Sequence, residues 1–165
     1  MKGISQEEFA NFLQDNKDRF YRLSYSYVYN ENEAMDILQD SILRALQRLH
    51  TIRQPEYLKT WFYRVLVNES ISYLRKRKKQ SKCINLDDAV LPGVWENDTS
   101  VDSEWLMKKV EGLPPDLKTV IFLRFYEDMK LSEISEITKT NINTVKSRLY
   151  RGLKMLRFEI TEDDI

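Results

Sequence analysis

The side chains best suited to chemistry in this sequence are cations, and they are concentrated in two short blocks. Residues 75–82 hold six Lys and Arg and no acid, and residues 137–158 hold another six and no acid. Between them, residues 83–107 hold six acids and no Lys or Arg. Basic blocks of this kind are typical of modules that bind polyanions, because cations displace the counterions condensed on phosphates. Solvated helix faces are the alternative explanation for both blocks.

The net charge hides this arrangement. The 26 basic and 26 acidic residues give a formal net charge of zero. The six acids of residues 83–107 and the four of residues 159–165 offset most of the two blocks, and the rest of the chain carries a net charge of −2. A neutral total therefore does not argue against a nucleic-acid partner.

Most other kinds of site are excluded by composition. The chain has one histidine, His50, and one cysteine, Cys83. This excludes an intramolecular disulfide, a CxxC pair and a zinc site built from Cys and His alone. A nuclease would need carboxylates that converge on a metal beside a basic groove, and Asp36 with Asp40 are better explained as a solvated or partner-binding helix face. We therefore expect no catalytic residue, metal or cofactor, and no enzymatic activity.

The first basic block follows a segment rich in aromatic residues. Five of them lie within 17 residues, at Tyr57, Trp61, Phe62, Tyr63 and Tyr73. Exposed rings stack on unpaired bases while cations follow the phosphates, so this segment suits single-stranded DNA. Asn68, which carries both a donor and an acceptor, could read a base edge. An aromatic stripe at helical spacing is more often core, and we favour the core for Phe62 more than for Trp61 or Tyr63.

The second basic block lies on a helix-turn-helix pattern. A short helix is expected over about Leu131 to Thr138, then a tight polar turn, then a longer helix over about Asn141 to Phe158. The longer helix turns its apolar residues inward at Val145, Leu149, Leu153 and Leu156. Its outward residues then offer charges, a hydroxyl and a ring to DNA, at Lys146, Ser147, Tyr150, Arg151 and Lys154. A basic surface helix in an ordinary bundle is the alternative.

Three further helices are expected to position the first block. The first begins at a capping box, Ser5-Gln6-Glu7-Glu8, and ends near Asn30. The second turns an apolar face inward at Ala34, Ile37, Leu38, Ile42, Ala45, Leu46 and Leu49. Its opposite face carries Asp36, Gln39, Asp40, Leu43 and Gln47. Leu43 is an outward leucine among polar residues, which suggests a protein partner there. A singly exposed leucine, which is common on protein surfaces, is the alternative. The third helix runs from about Tyr57 into the basic block.

The fold class is therefore all-α, in two small helical domains. We expect residues 1–82 to form the first domain, residues 83–101 an acidic flexible linker, and residues 102–165 the second domain, with helices over about Asp102 to Gly112 and Leu117 to Tyr126. No run of 18 uncharged apolar residues occurs and the N-terminus has no apolar signal core. The expectation is a soluble cytoplasmic protein without membrane insertion.

Several motifs, in order along nearly the whole chain, resemble the extracytoplasmic-function (ECF) sigma factors of bacterial RNA polymerase, within the sigma-70 family. They are Ala34-Met35-Asp36-Ile37-Leu38-Gln39-Asp40-Ser41-Ile42-Leu43-Arg44-Ala45, Trp61-Phe62-Tyr63-Arg64-Val65-Leu66-Val67-Asn68, Tyr73-Leu74-Arg75-Lys76-Arg77, Leu113-Pro114, Glu133-Ile134 and Thr144-Val145-Lys146-Ser147-Arg148-Leu149-Tyr150-Arg151.

The resemblance implies a function and assigns residues to it. The first domain would be sigma region 2 and the last sigma region 4, directing core RNA polymerase to promoters and assisting promoter melting. Core polymerase would bind Asp36, Leu38, Gln39, Asp40 and Leu43. The melted −10 element would bind Trp61, Asn68, Arg75, Lys76 and Arg77. The double-stranded −35 element would bind Thr144, Lys146, Ser147, Tyr150 and Arg151. Family members are often held by anti-sigma factors, so an anti-sigma factor is a further candidate partner.

The sequence also departs from the family pattern at three positions. Met35 stands where many relatives have an acid, and Lys139 and Asn143 replace small or glycine residues common around the turn. A lysine at a position that needs a positive φ carries strain, so the turn could differ in shape. The competing interpretation of the whole chain is a stand-alone helix-turn-helix transcriptional regulator, whose N-terminal domain senses a ligand or dimerises.

Overall fold

The structure is a computed structural model of the chain, and it describes residues 3–81, 108 and 110–157. The chain divides into two compact units, Met1–Gly93 and Val94–Ile165. Every regular element in the described residues is helical, which confirms the all-α fold class. The expected linker at 83–101 and most of the expected helix over Asp102 to Gly112 lie outside the described residues. The domain boundaries therefore stay a prediction.

Three long helices form the first unit. Helix α1 spans Gln6–Val28, α2 spans Glu31–Arg48 and α3 spans Leu58–Ser81. The predicted cap of α1 is present, because the Ser5 hydroxyl accepts a hydrogen bond from the amide of Glu8 at 3.1 Å. Asn30 lies beyond the end of α1 and starts the next helix, since its side chain accepts from the amide of Glu33 at 3.0 Å. The chain reverses direction there through Tyr29, at a φ of 51°.

An aromatic cluster joins α1 to α3. The Phe62 ring centroid lies 4.6 Å from that of Phe20 and 5.8 Å from that of Phe9. All three rings are buried, and the tilted and edge-on contacts that they make are favourable beyond the area that they bury. The core role of Phe62 is confirmed. Tyr63, for which the sequence favoured the core less, is also fully buried, with its ring 5.2 Å from that of Phe20.

The second unit is built from shorter helices. Helix α4 spans Pro115–Ile121 and continues as a wider π-helical turn over Phe122–Tyr126. Helix α5 spans Leu131–Thr138, as predicted, and α6 spans Ile142–Arg157. Helices α6 and α4 approach closely at Gly152, where a Cβ atom would lie 2.9 Å from Cγ1 of Ile121. The missing side chain is what allows α6 to pack at this depth.

The turn between α5 and α6 contains the predicted strained lysine. Lys139 ends α5 at a φ of 53° and a ψ of 40°, in the left-handed region that favours glycine. The amide of Thr140 donates to the carbonyl of Ser135 at 3.2 Å, and the Ser135 hydroxyl donates to the Thr140 carbonyl at 2.5 Å. These bonds hold Lys139 in its unfavourable backbone conformation.

None of the helices in the described ranges is both long and apolar enough to cross a membrane.

Candidate nucleic-acid and partner surfaces

One face of α3 carries most of the predicted single-strand contacts. Trp61, Asn68 and Arg75 follow each other at intervals of seven residues, or about two helical turns, so they share a face. This face is opposite the buried side of the helix that contains Phe62. Trp61 is half-buried, whereas Asn68, Arg75 and the adjacent Lys76 are exposed. A ring, an amide and cations therefore line one surface, which we call the α3 surface.

Arg77 lies on the other side of α3. Its Nη1 is 3.3 Å from Oε2 of Glu33 in the first turn of α2. The Tyr73 hydroxyl, one turn earlier, donates to the same carboxylate, and burial together with this bond raises the pKa of Tyr73 to about 12. Arg77 thus braces α3 against α2, and its side chain is half-buried. Among the five predicted −10 residues, it is placed apart from Trp61, Asn68 and Arg75.

Arg64 also flanks the α3 surface, although it is not among the residues predicted to contact DNA. It lies three residues after Trp61 and four before Asn68, which is helical spacing. Its Nη2 is 3.3 Å from the Tyr57 hydroxyl oxygen. The repeated spacing of 61, 64 and 68 is the signal that could have identified it.

The outward face of α2 carries the predicted polymerase contacts. Asp36, Gln39 and Asp40 are exposed, and the outward position of Leu43 is confirmed, with 58% of its surface exposed. Leu38 is 7% exposed, so it can support this face only from beneath. The combination of exposed leucine, amide and carboxylates suits a partner that offers both apolar and basic side chains.

The same face is more apolar than predicted. Met35 is 42% exposed, and it lies on one stripe with Gln39, Leu43 and Leu46, at spacings of four, four and three. The prediction that Leu46 points inward is wrong, because this side chain is 39% exposed. Its neighbour Ala45 is fully buried, and one residue of an α-helix turns by about 100°, which carries Leu46 to the edge of the buried arc.

An ion pair connects the two surfaces of the first unit. Nε of Arg44, next to Leu43 on α2, contacts Oε1 of Glu69, next to Asn68 on α3. Glu69 is largely shielded from solvent, whereas Arg44 is exposed. Together with the Arg77 and Glu33 pair, this contact fixes the rotation of α3 against α2 at two points.

The outward face of α6 matches its prediction. The predicted outward residues are all exposed, at Lys146, Ser147, Tyr150, Arg151 and Lys154. Val145, Leu149 and Leu156 are buried on the opposite side, and Tyr150 is 67% exposed. Of the residues assigned to the −35 element, Thr144 alone is half-buried. We call this exposed set the α6 surface.

Arg148 belongs to the bracing of the second unit rather than to the α6 surface. Its Nε is 3.7 Å from Oδ2 of Asp116 in the first turn of α4, and Arg148 is half-buried. The pair holds α6 to α4. Its acid lies 32 residues earlier in the sequence, so helical spacing within α6 does not reveal the contact.

A buried lysine lies behind the same helices. Lys118 on α4 is 5% exposed. Burial lowers the pKa of Lys118 to about 8, although the nearby Glu111 acts in the opposite direction. This side chain is too enclosed to contact DNA. Because burial disfavours its charged form, Lys118 lowers the stability of the second unit. Within the described ranges there is also no group of three His, Cys, Asp or Glu residues that could hold a metal ion.

Comparisons with known proteins match one family region to each of the two units. The family model described as Sigma-70 region 2 matches residues 12–80, and the model described as Sigma-70, region 4 matches residues 103–156. The chain is 45% identical to RNA polymerase sigma factor SigV of Bacillus subtilis, over 93% of this chain and 91% of that protein. It is 30% identical to ECF RNA polymerase sigma factor SigW of the same organism, over 98% and 94%.

Solved structures share the fold. The sigma factor RpoE of Bartonella quintana, in complex with the anti-sigma factor NepR, superimposes with a TM-score of 0.78 at 22% identity, over 94% of this chain and 99% of that one. CnrH, in complex with the cytosolic domain of CnrY, gives a TM-score of 0.67 at 16% identity, over 93% and 88%. At these identities the likeness concerns the fold alone.

Proposed function

The chain belongs to the sigma-70 family, as an ECF sigma factor of bacterial RNA polymerase, and from this premise we propose how its surfaces divide the work of transcription initiation. The first unit binds core polymerase through α2 and the melted −10 element through the α3 surface. The second unit binds the double-stranded −35 element through the α6 surface. The observation that carries the proposal is that both family regions match in order, each on a unit with an exposed nucleic-acid-type surface.

The polymerase contact is proposed for the outward face of α2. Asp36, Gln39, Asp40 and Leu43 would make it, with Leu38 supporting the face from below. Replacing Asp40 and Leu43 by alanine should weaken binding of core polymerase without unfolding the chain, because both side chains are exposed. Fluorescence anisotropy of labelled protein with core polymerase measures this. Asn11→Ala, at an exposed position of α1, is the control. Unchanged affinity of the double variant would remove α2 from the interface.

The −10 contact is proposed for the α3 surface. Trp61 would stack on an unpaired base, Asn68 would read a base edge, and Arg75 with Lys76 would contact phosphates. Arg77, held by Glu33, would contribute its charge to the local potential. Asn68→Ala should weaken binding of the holoenzyme to a forked promoter with an unpaired −10 strand and leave binding of a fully paired −35 duplex unchanged. An equal loss on both DNAs would refute the assignment.

The −35 contact is proposed for α6, which would lie in the major groove as the second helix of a helix-turn-helix. Lys146, Ser147, Tyr150 and Arg151 would face the bases and phosphates, with Thr144 at the edge. Arg151→Ala should cost roughly 1–3 kcal/mol at one base pair if Arg151 reads that base. A loss that is equal across all sequences would make Arg151 a phosphate contact instead.

The overall function is tested by run-off transcription with core polymerase on genomic fragments. We expect start sites that appear only when the protein and core polymerase are both present. A stand-alone regulator would footprint its promoter tightly without core polymerase, and the family match over both units does not favour it. In this proposal the protein has no catalytic activity, needs no cofactor, and acts in the cytoplasm, while phosphodiester chemistry belongs to the polymerase.

An anti-sigma factor is proposed as a further partner. The support is that RpoE, with the same fold, was solved with one bound. Co-purification of the chain from its native cells, followed by identification of bound proteins, tests this. A partner that competes with core polymerase for the α2 face is the expected result.

A further inference from the structure

Asn143, in the first turn of α6, extends the α6 surface by one residue beyond those assigned to the −35 element. We infer that it is a specificity-determining residue, which reads an adenine in the major groove at one end of the −35 element. The inference rests on the proposed function of the second unit, because it requires α6 to enter the groove.

The position of Asn143 on the helix supports this role. With about 100° per residue, Asn143 and Ser147 both lie about 160° from the buried Val145, on the line that faces directly away from the core. Asn143 is exposed, as are Ser147 and Tyr150 one and two turns later. The residue therefore continues the exposed surface toward the N-terminal end of α6, which is the end of a recognition helix that contacts base edges.

The side chain of Asn143 is also available. Its backbone amide donates to Oδ1 of Asn141 at 2.7 Å, so the first turn of α6 is capped by Asn141. Within the described part of the chain, no hydrogen bond involves the side-chain amide of Asn143. The side chain of Asn141 therefore caps the helix, whereas the carbonyl and NH₂ group of Asn143 are available for a ligand.

The chemistry of the amide selects the base. The carbonyl of an asparagine accepts from N6 of adenine while its NH₂ group donates to N7, and this bidentate pair matches no other base as well. A lysine or arginine at the same place would favour guanine. The expected preference is therefore for adenine at one position of the −35 element.

The first test selects DNA from a library with a randomised −35 element, using core polymerase with the full-length chain or with Asn143→Ala. We expect the wild-type motif to contain one adenine whose preference falls roughly 5- to 150-fold in the variant, with the other positions unchanged. Asn143→Asp should shift that position toward cytosine, since a carboxylate accepts from N4. Thermal unfolding of Asn143→Ala should match that of the wild type.

The second test removes one atom from the DNA. Replacing the selected adenine by 7-deazaadenine, which lacks the N7 acceptor, should weaken wild-type binding and leave Asn143→Ala binding unchanged. Asn141→Ala is the matched control, because loss of the cap should lower stability without altering the preferred base.

Two results would overturn the inference. They are an unchanged motif in Asn143→Ala, and a loss of affinity that is equal for all sequences. If wild-type protein with core polymerase selects no motif at all, the proposed function fails as well as the inference. If it selects a motif that Asn143→Ala leaves unchanged, only the inference fails.

Discussion

Replacing Lys139 by glycine should stabilise the second unit. An L-amino acid in the left-handed region costs roughly 1–2 kcal/mol, because its Cβ atom crowds the backbone, and Lys139 has a φ of 53°. Glycine avoids this crowding but loses more backbone entropy on folding, a cost of about 0.5–1 kcal/mol. The midpoints of these two ranges leave an expected gain of about 0.75 kcal/mol in the free energy of unfolding.

Thermal unfolding of the full chain, followed by circular dichroism, measures the gain. A domain of 60–100 residues shifts its Tm by roughly 4–8 °C per kcal/mol, so a shift of a few degrees is expected. Hydrogen exchange at the amides of α5 and α6 should slow, while exchange in α1 and α3 should not change. This distribution assigns the gain to the second unit.

Lys139→Ala is the matched control. It removes the same charge and the same flexible side chain but keeps the Cβ atom, so it should not stabilise the unit. If Lys139→Ala and Lys139→Gly raise the Tm equally, the lysine side chain and not the backbone conformation is the source of the cost. If Lys139→Gly lowers the Tm, the turn depends on contacts of Lys139, and the strain argument is wrong.

Three further perturbations have defined outcomes. Between the lowered pKa of Lys118, about 8, and its ordinary value of 10.5, the unfolded chain binds more protons than the folded chain, so stability should rise with pH across this window. Lys118→Met should abolish that rise in urea-unfolding titrations and stabilise the protein at pH 7 by up to about 3 kcal/mol; an unchanged pH dependence would contradict the assignment. Glu33→Gln should lower the pKa of Tyr73 from about 12 toward 10, because the mutation removes the carboxylate that accepts its hydrogen bond. A pH titration of tyrosinate absorbance at 295 nm measures this, and the component that disappears in Tyr73→Phe belongs to Tyr73. Gly152→Val should cost about 1–3 kcal/mol by overpacking against Ile121, and Gly152→Ala should cost less; equal stability of Gly152→Val and wild type in urea unfolding would show that α6 can shift freely.

The parts of the fold that follow from local rules could be predicted from the sequence. The bounds of α5 and the cap at Ser5 depend on residues within one or two turns of each other. The outward face of α6 could also be predicted, because Val145 and Leu149 mark the buried side of a single helix.

The parts that depend on distant residues could not be predicted in this way. Arg77 is paired with Glu33, 44 residues earlier, and no spacing within α3 distinguishes it from the exposed Arg75. Tyr63 is buried because α1 supplies a ring against it, which periodicity alone does not reveal. The wider turn over Phe122–Tyr126 likewise has an apolar pattern that an ordinary α-helix would share.

The separation of inner and outer faces on α6 has a consequence for how the protein can diverge. Asn143, Ser147 and Tyr150 contribute nothing to the buried side of the helix, whereas Val145 and Gly152 are essential to it. Changes among the first three therefore leave the margin of stability nearly untouched. A duplicated copy of the gene could acquire a new target sequence through single substitutions, each of them folded and testable by selection.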